Sequence, residues 1–272
     1  MDLGLQDRVA LIAGSSSGLG LASAIELARE GCRVALCSRH EERINAAADV
    51  VRAEAGVSDP GNVLPIVCDV TDEQQVQQAI ERTVSHFGKL EILITNAGGP
   101  PAGFIDDLST EQWRSAIELN LMSTINLCRH ALPHIREAVR QEDGLGRILM
   151  ITSVSAKQPI PNLMLSNTAR AGVQGFAKSL AEQLGPDGIT VNTILPGYPR
   201  TDRLENLSQS IQKQTGKTPE QVEEAWAAGT ALKRIGLPEE FAAAVAFLAS
   251  KRASFITGVA LPVDGGTAKG LL

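Results

Sequence analysis

The chain has few aromatic residues: they make up 3% of its 272 residues and include a single tyrosine. A hydrophobic core must therefore be built from aliphatic side chains, and a hydrophobic content of 43% supplies enough of them. No run approaches the roughly 18 apolar residues that a membrane-spanning helix needs, and residues 1–5 lack the basic and apolar regions of a signal peptide. These absences predict a cytoplasmic protein with no membrane partner.

The chain also lacks clustered charge and paired cysteines. Its formal net charge of -6 is spread along the sequence, without a block of lysine and arginine. This pattern argues against nucleic acid as a partner and favours a small-molecule substrate. The four cysteines form no CxxC pair, and with the four histidines they show no zinc-ligand spacing. We therefore expect reduced thiols and no metal site.

Short aliphatic runs alternate with helix-length amphipathic segments along most of the chain. This alternation is typical of repeated βαβ units around a buried parallel sheet. The predicted strands are residues 8–13, 33–37, 63–67, 92–95, 147–151, 190–194 and 259–262. The predicted fold class is α/β, with a doubly wound parallel sheet of about seven strands and helices on both faces. Ligands are then expected at the carboxyl ends of the strands.

Residues 197–237 interrupt this alternation with a polar segment that contains the helix-start sequence Thr218-Pro219-Glu220-Gln221. We predict a helical insertion within one domain spanning residues 1–272. A long excursion at the ligand end of a sheet is typical of a lid or a substrate-binding loop. A surface elaboration without a binding role is the alternative.

A glycine-rich turn follows the first predicted strand and precedes a helical pattern. Its residues are Gly14, Ser15, Ser16, Ser17, Gly18, Leu19 and Gly20. Glycines let the chain turn tightly and let a pyrophosphate approach backbone N–H groups at a helix N-terminus, where the helix dipole favours negative charge. The order of strand, glycines and helix predicts a Rossmann-type dinucleotide site.

The G-x-x-x-G-x-G spacing of this turn resembles that of the short-chain dehydrogenase/reductase family, and further matches follow in order over residues 5–267. The subgroup that the chain resembles is that of the β-ketoacyl-acyl-carrier-protein reductases. The resemblance implies a catalytic role for Asn120 in a helix. It implies cofactor contacts from Asp69, Val70, Asn96, Ala97, Gly98, Pro196, Gly197 and Thr201.

The end of the second strand bears on the choice of dinucleotide. An acidic residue there would bind a ribose 2′-hydroxyl, whereas a basic residue accommodates a 2′-phosphate. The chain has Ser38 and Arg39 at this place, and both can donate hydrogen bonds to a phosphate. We therefore predict NADP(H) as the cofactor. The alternative is NAD(H), with Arg39 in solvent or stacked on the adenine.

The catalytic pattern of the family is only partly present. In the family, a serine after the fifth strand orients the carbonyl, a tyrosine thirteen residues later is the acid, and a lysine four residues further on holds the ribose. Ser153 matches the serine, but Ser166 and Arg170 stand at the tyrosine and lysine positions. An aliphatic hydroxyl is a far weaker acid than a phenol, and loss of a general acid typically costs about a hundred- to ten-thousandfold in rate.

Two residues could compensate for this loss. Arg170 keeps a positive charge and could pair with a substrate carboxylate or phosphate, or it could contact the ribose or an internal acid. Tyr198 follows Pro196-Gly197, beside the expected nicotinamide. It could serve as a substitute acid or as a wall of the pocket. The sequence leaves all of these roles open.

The leading hypothesis is an NADP(H)-dependent oxidoreductase that acts on a carbonyl or alcohol, with Ser153 polarising the substrate, Asn120 holding a helix kink or a water, and Arg170 replacing the lysine. The alternatives are a dinucleotide-binding sensor without turnover and an enzyme that uses the same pocket for non-redox chemistry. The resemblance also implies a homotetramer or homodimer, formed through predicted helices at residues 112–141 and 163–184.

Overall fold

The computed structural model describes residues 2–141 and 143–270, so Met1, Glu142, Leu271 and Leu272 lie outside the described residues. Within the described part, a single sheet has the strand order β3-β2-β1-β4-β5-β6-β7, and every pair of neighbouring strands is parallel. The strands are β1 Val9–Ala13, β2 Arg33–Ser38, β3 Val63–Val67, β4 Ile92–Thr95, β5 Gly146–Ile151, β6 Ile189–Pro196 and β7 Ala260–Val263. The prediction of a doubly wound parallel sheet is confirmed.

The helices alternate with these strands. They are α1 Gly18–Arg29, α2 Glu41–Glu54, α3 Glu73–Phe87, α4 Thr110–Ile117, α5 Ser123–Val139, α6 Met164–Leu184, α7 Asp202–Thr215, α8 Pro219–Gly229 and α9 Pro238–Ala249. The helix predicted at 163–184 corresponds to α6. The one predicted at 112–141 differs, because a π-helical segment, Glu118–Met122, separates α4 from α5. A π segment inserts one extra residue into the turn, which shifts the side chains on either side of Asn120.

The sheet is covered on both faces, and β1 shows how the sequence achieves this. Alternate side chains of a strand point to opposite faces. Val9 and Leu11 belong to a hydrophobic cluster that also includes residues of α3, α5 and α6. Ala10 and Ile12 belong to a second cluster, with residues of α1, α2 and α9. A strand buried on both faces needs a continuous apolar run, which is why β1 reads VALIA.

The order in which the strands are added to the sheet reverses between β1 and β4, although all the strands remain parallel. The strands β1, β2 and β3 lie successively closer to one edge of the sheet, and the strands β4 to β7 lie successively closer to the other edge. The loops after β1 and β4 therefore diverge and open a crevice at the carboxyl ends of the strands. Among the described helices, none is both long enough and apolar enough to cross a membrane.

Candidate active site

The glycine-rich turn forms the floor of this crevice. Gly14 and Gly18 both have a φ of +58°, a conformation that side chains with a Cβ rarely adopt. A Cβ built on Gly20 would lie 2.3 Å from the carbonyl oxygen of Gly14. Position 20 thus requires glycine, because the start of α1 packs directly against the backbone of the turn. The first turn of α1 begins at Gly18 and points its N–H groups into the crevice.

The serines of the turn have different surroundings. Ser15 is fully buried, and its hydroxyl donates to the carbonyl of Ile12 at 2.9 Å, so it holds the turn to β1. Ser16 and Leu19 are half-buried in the turn. Ser17 is the N-cap residue of α1, but its side chain accepts no hydrogen bond from the N–H groups of that helix. The hydroxyl of Ser17 therefore remains available at the site where a pyrophosphate would bind.

The ends of β2 and β3 lie beside this turn. The N–H of Ser15 donates to the carbonyl of Cys37, and the N–H of Cys68 donates to that of Ser38. Ser38 is buried, and its Oγ has no hydrogen-bond partner among the described residues, whereas the adjacent Arg39 is exposed. A buried hydroxyl donor beside an exposed arginine is suited to bind an anionic group.

Asp69 and Val70 follow β3. The carboxylate of Asp69 accepts hydrogen bonds from the N–H and the hydroxyl of Thr71, at 3.0 and 2.8 Å, and so closes a turn. Val70 is buried next to it. This turn fixes the backbone at the end of β3, where the resemblance places the adenine.

The loop after β4 connects the turn to Asn120. Asn96 donates from Nδ2 to the carbonyl of Gly14 at 3.0 Å, which ties β4 to the glycine-rich turn. Asn120, in the π segment, donates to the carbonyl of Gly98 at 3.0 Å. Its Oδ1 is buried and has no partner within the described chain. Ala97 and Gly98 therefore lie between two asparagine side chains that fix the backbone of the loop.

Ser153 lies at the other side of the crevice, directly after β5. Its Oγ accepts a hydrogen bond from the N–H of Ser155 at 3.1 Å. Accepting that bond leaves the Ser153 O–H to donate elsewhere. The hydroxyl is half-buried at the carboxyl end of a central strand, which is the place where a substrate carbonyl would meet it.

Ser166 and Arg170 are one turn apart on α6. The Oγ of Ser166 lies 3.5 Å from the Oγ of Ser155, and both residues are buried. Arg170 donates from NH1 to the carbonyl oxygens of Thr152 at 2.8 Å and of Ile151 at 3.4 Å. Arg170 thus contacts the backbone next to Ser153, and Ser166 contacts a side chain of the same turn.

The loop after β6 closes the crevice from above. The methyl group of Thr201 lies 3.5 Å from the position of a Cβ built on Gly18. Pro196 is buried, and a Cβ built on Gly197 would lie 2.7 Å from the Cβ of Asp264. Thr201 therefore reaches the glycine-rich turn, while Gly197 allows close approach to the loop after β7.

Tyr198 faces the helical insertion. Its ring is stacked on that of Trp226 in α8, with centroids 5.4 Å apart and planes 13° from parallel. Burial raises the pKa of its phenol above the ordinary value. Arg200 and Glu223 form an ion pair nearby, and the N–H of Gly236 donates to the carbonyl of Tyr198 at 3.0 Å. The insertion is therefore attached to the loop after β6 at several points.

The sequence interpretation missed two residues of this region, Ser155 and Trp226. The signal for Ser155 was its place two residues after Ser153. No pattern in the sequence pairs Trp226 with Tyr198, which is 28 positions earlier in the numbering, because only the folding of α8 onto the loop brings the two rings together.

The chain matches a family model described as enoyl-(acyl carrier protein) reductase over residues 13–268. It is 34% identical to a 3-oxoacyl-[acyl-carrier-protein] reductase of Synechocystis sp., over 96% of this chain and 97% of the relative. It is 35% identical to the cis-4-hydroxycyclohexanecarboxylate dehydrogenase of Sinomonas cyclohexanicum, over 96% of each chain.

A solved structure has a similar fold. The L-sorbose reductase of Gluconobacter frateurii, in complex with NADPH and L-sorbose, superposes with a TM-score of 0.91 at 34% identity, and the match covers 100% of each chain. The fold, the glycine-rich crevice and these matches along nearly the whole length agree with each other. The chain therefore belongs to the short-chain dehydrogenase/reductase family.

Proposed function

We propose that this chain is an NADP(H)-dependent oxidoreductase that interconverts a carbonyl compound and the corresponding alcohol. The observation that carries the proposal is the crevice itself: a glycine-rich turn and a helix N-terminus face Ser153, which stands at the end of a central strand. The bound cofactor would supply or accept the hydride. The residues of the chain bind it and orient the substrate.

The residues present fit a dinucleotide with a 2′-phosphate. Glycines at 14, 18 and 20 keep side chains out of the cradle, as the short distance from Gly20 to the Gly14 carbonyl requires. At the end of β2, the unpartnered Ser38 hydroxyl and the exposed Arg39 can both donate to a phosphate. Leaving a buried hydroxyl without an acceptor costs free energy, and a ligand phosphate would remove that cost.

NADPH is also the cofactor named with the L-sorbose reductase and with an actinorhodin polyketide ketoreductase of similar fold. We carry the cofactor over to this chain because its own Ser38 and Arg39 suit a phosphate. We do not carry over a substrate, because the relatives act on a sugar, on acyl chains and on a ring alcohol by their names.

In this reaction, Ser153 donates its O–H to the substrate oxygen and stabilises the negative charge that develops there. A donor aimed at a developing charge is among the largest contributions to catalysis. Asn120 holds the Gly98 carbonyl, and with it the loop on which the nicotinamide would rest. Arg170 takes the place of the lysine, but its donation to the Thr152 carbonyl directs part of its guanidinium to the strand end.

Neither Ser166 nor Tyr198 has the properties of the missing acid. The Ser166 hydroxyl is intrinsically a weak acid and is turned towards Ser155. The phenol of Tyr198 is stacked on Trp226, and its raised pKa makes it a poorer proton donor. We therefore infer slow proton transfer from water or from a group of the substrate, with Ser153 as the main electrostatic contribution.

A second candidate is a dinucleotide-binding protein without turnover, which the loss of the tyrosine favours. Titration of the purified protein with NADPH and with NADH, followed by nicotinamide fluorescence, tests the cofactor. Turnover is then tested with a small 3-oxoester such as ethyl acetoacetate and with a panel of ketones. Binding of NADPH with oxidation by a ketone supports the oxidoreductase, binding without oxidation supports the second candidate, and no binding of either nucleotide contradicts both.

We also propose that the chain forms a homotetramer or homodimer through α5 and α6. On α6, Gly175 is exposed and a Cβ built on it would meet nothing within 4 Å, so a second helix could pack closely there. Light scattering of the purified protein should give a mass two or four times that of one 28.8 kDa chain. The mass of a single chain would contradict this.

A further inference from the structure

We propose that Ser155 is a positioning residue for the reaction, and that with Ser166 and Arg170 it forms a clamp that fixes the hydroxyl of Ser153. The inference rests on the proposed function, because it assigns to Ser153 the contact with the substrate oxygen. Its evidence is a set of contacts between α6 and the turn that follows β5.

The contacts flank Ser153 on both sides. Before it, the guanidinium of Arg170 donates to the carbonyls of Ile151 and Thr152. After it, the hydroxyl of Ser166 meets that of Ser155. Residues 166 and 170 are four apart on one face of a helix. One turn of α6 therefore contacts the backbone before the catalytic serine and a side chain after it.

Ser155 connects this helix to Ser153 itself. Its N–H donates to the Ser153 Oγ at 3.1 Å, while its own Oγ lies 3.5 Å from that of Ser166. Its side chain is 2% exposed, so the hydroxyl depends on protein partners rather than water. The N–H of Ser155 occupies one lone pair of the Ser153 Oγ. When the position of this N–H is fixed, the directions in which the Ser153 O–H can point are restricted.

The same geometry explains what serine does at position 166. A tyrosine hydroxyl lies at the far end of a ring, whereas a serine hydroxyl lies one bond from Cβ. Ser166 is buried at 7% exposure and is short, so it meets the turn beside it instead of reaching out to a substrate. The residue at the position of the acid thus serves to orient the serine that remains.

Kinetics of matched variants test the clamp. Ser155→Ala removes the hydroxyl but keeps the N–H. Because 3.5 Å is long for a pair of hydroxyls, we expect kcat for ethyl acetoacetate to fall by about tenfold, a loss typical of a small misplacement. KM and NADPH affinity should stay within about twofold. Ser166→Ala should have the same effect, and the double variant should lose no more than either single variant.

Two controls accompany these variants. Ser155→Thr keeps a hydroxyl and should recover most of the rate. Ser85→Ala removes an exposed hydroxyl from α3, outside the crevice and outside the proposed oligomer contact, and should change nothing. An unchanged kcat in Ser155→Ala, or losses that multiply in the double variant, would overturn the proposal.

A second measurement does not need turnover. Hydrogen exchange of the peptide that contains residues 153–158 reports the N–H of Ser155 in the full chain. Ser166→Ala should speed this exchange by about fivefold, because the turn opens more often, while Ser85→Ala should not. Unchanged exchange in Ser166→Ala contradicts the clamp. If wild-type protein binds no NADPH and reduces no ketone, the proposed function fails, and the exchange result still decides whether the clamp exists.

Discussion

The two halves of the crevice differ in how closely they follow the family pattern. In the cofactor half, the glycine-rich turn, Asn96 and Asp69 stand at the positions of the family pattern, and the side chain of Asn96 donates to the Gly14 carbonyl of that turn. In the substrate half, Ser153 is kept, but serine and arginine occupy the two positions that complete the catalytic set. In the cofactor half, the pyrophosphate of a dinucleotide would be bound by backbone N–H groups. Only glycine, which has no side chain, leaves these groups accessible at such close packing.

The proposed chemistry of the substrate half depends on side chains, which can be replaced without altering the fold. Ser166 and Arg170 sit on α6 and form contacts with β5 and the turn that follows it. One half is therefore constrained by shape and the other by chemistry.

The largest effect is expected for Ser153→Ala. Removing a donor aimed at the developing charge should lower kcat with ethyl acetoacetate by about a hundred- to a thousandfold. NADPH affinity should not change, because the Ser153 hydroxyl is assigned to the substrate. A rate equal to that of the wild type would show that the substrate half has lost its catalytic role.

Gly20→Ala should have the next largest effect, which we expect on NADPH binding in the cofactor half. A Cβ at this position would lie 2.3 Å from the Gly14 carbonyl, so α1 must shift. Such overpacking costs roughly 1–3 kcal/mol, which is a weakening of NADPH binding by about five- to a hundredfold if the shift is confined to the turn. Gly229→Ala, at an exposed position of α8 where a Cβ would meet nothing within 4 Å, is the control and should be neutral or slightly stabilising. Equal affinity in Gly20→Ala would mean that the close packing is not needed.

Arg39→Ala tests the choice between the two nucleotides. Loss of one exposed hydrogen bond to a charged group should weaken NADPH binding by about tenfold and leave NADH binding unchanged. The effect should shrink at high salt, because the site is exposed. Arg82→Ala, an exposed arginine of α3, is the control. A parallel loss for both nucleotides would indicate that Arg39 stacks on the adenine instead.

Trp226→Ala should give a smaller effect in the substrate half. The variant removes the ring stacked on Tyr198, and aromatic pairs contribute about 0.5–1.5 kcal/mol beyond their buried area. We expect a KM for ketones that is raised severalfold with kcat little changed, since the insertion would be held less firmly. An unchanged KM would support the alternative of a surface elaboration.

Tyr198→Phe should give the smallest effect. Burial raises the pKa of this phenol above its usual value of 10, so the group stays protonated through the physiological range in the folded and unfolded states alike. The pH-rate profiles of variant and wild type should coincide between about pH 6 and 9, and stability should fall with this group's titration only as pH rises above about 10. A large rate loss would restore Tyr198 as the substitute acid.

The sequence was sufficient to predict the fold and the glycine-rich turn. Neighbouring residues alone specify such features, as in the apolar run VALIA of β1 and the glycines at fixed offsets after it. The helix predicted at 112–141 shows the limit, because its π segment at Glu118–Met122 has no pattern that distinguishes it from a continuous helix. The extra residue is held there by the contact of Asn120 with Gly98, 22 positions away.

For the substrate half, the sequence by itself determined that the tyrosine and lysine are absent and that Ser153, Ser166 and Arg170 stand at the matching positions. Only the tertiary structure decided what these side chains meet. It turned Ser166 to Ser155, Arg170 to the strand end and Tyr198 to Trp226. The physical reason is range: a strand or a glycine turn is specified by neighbouring residues, whereas the direction of a side chain depends on elements that meet only after the chain has folded.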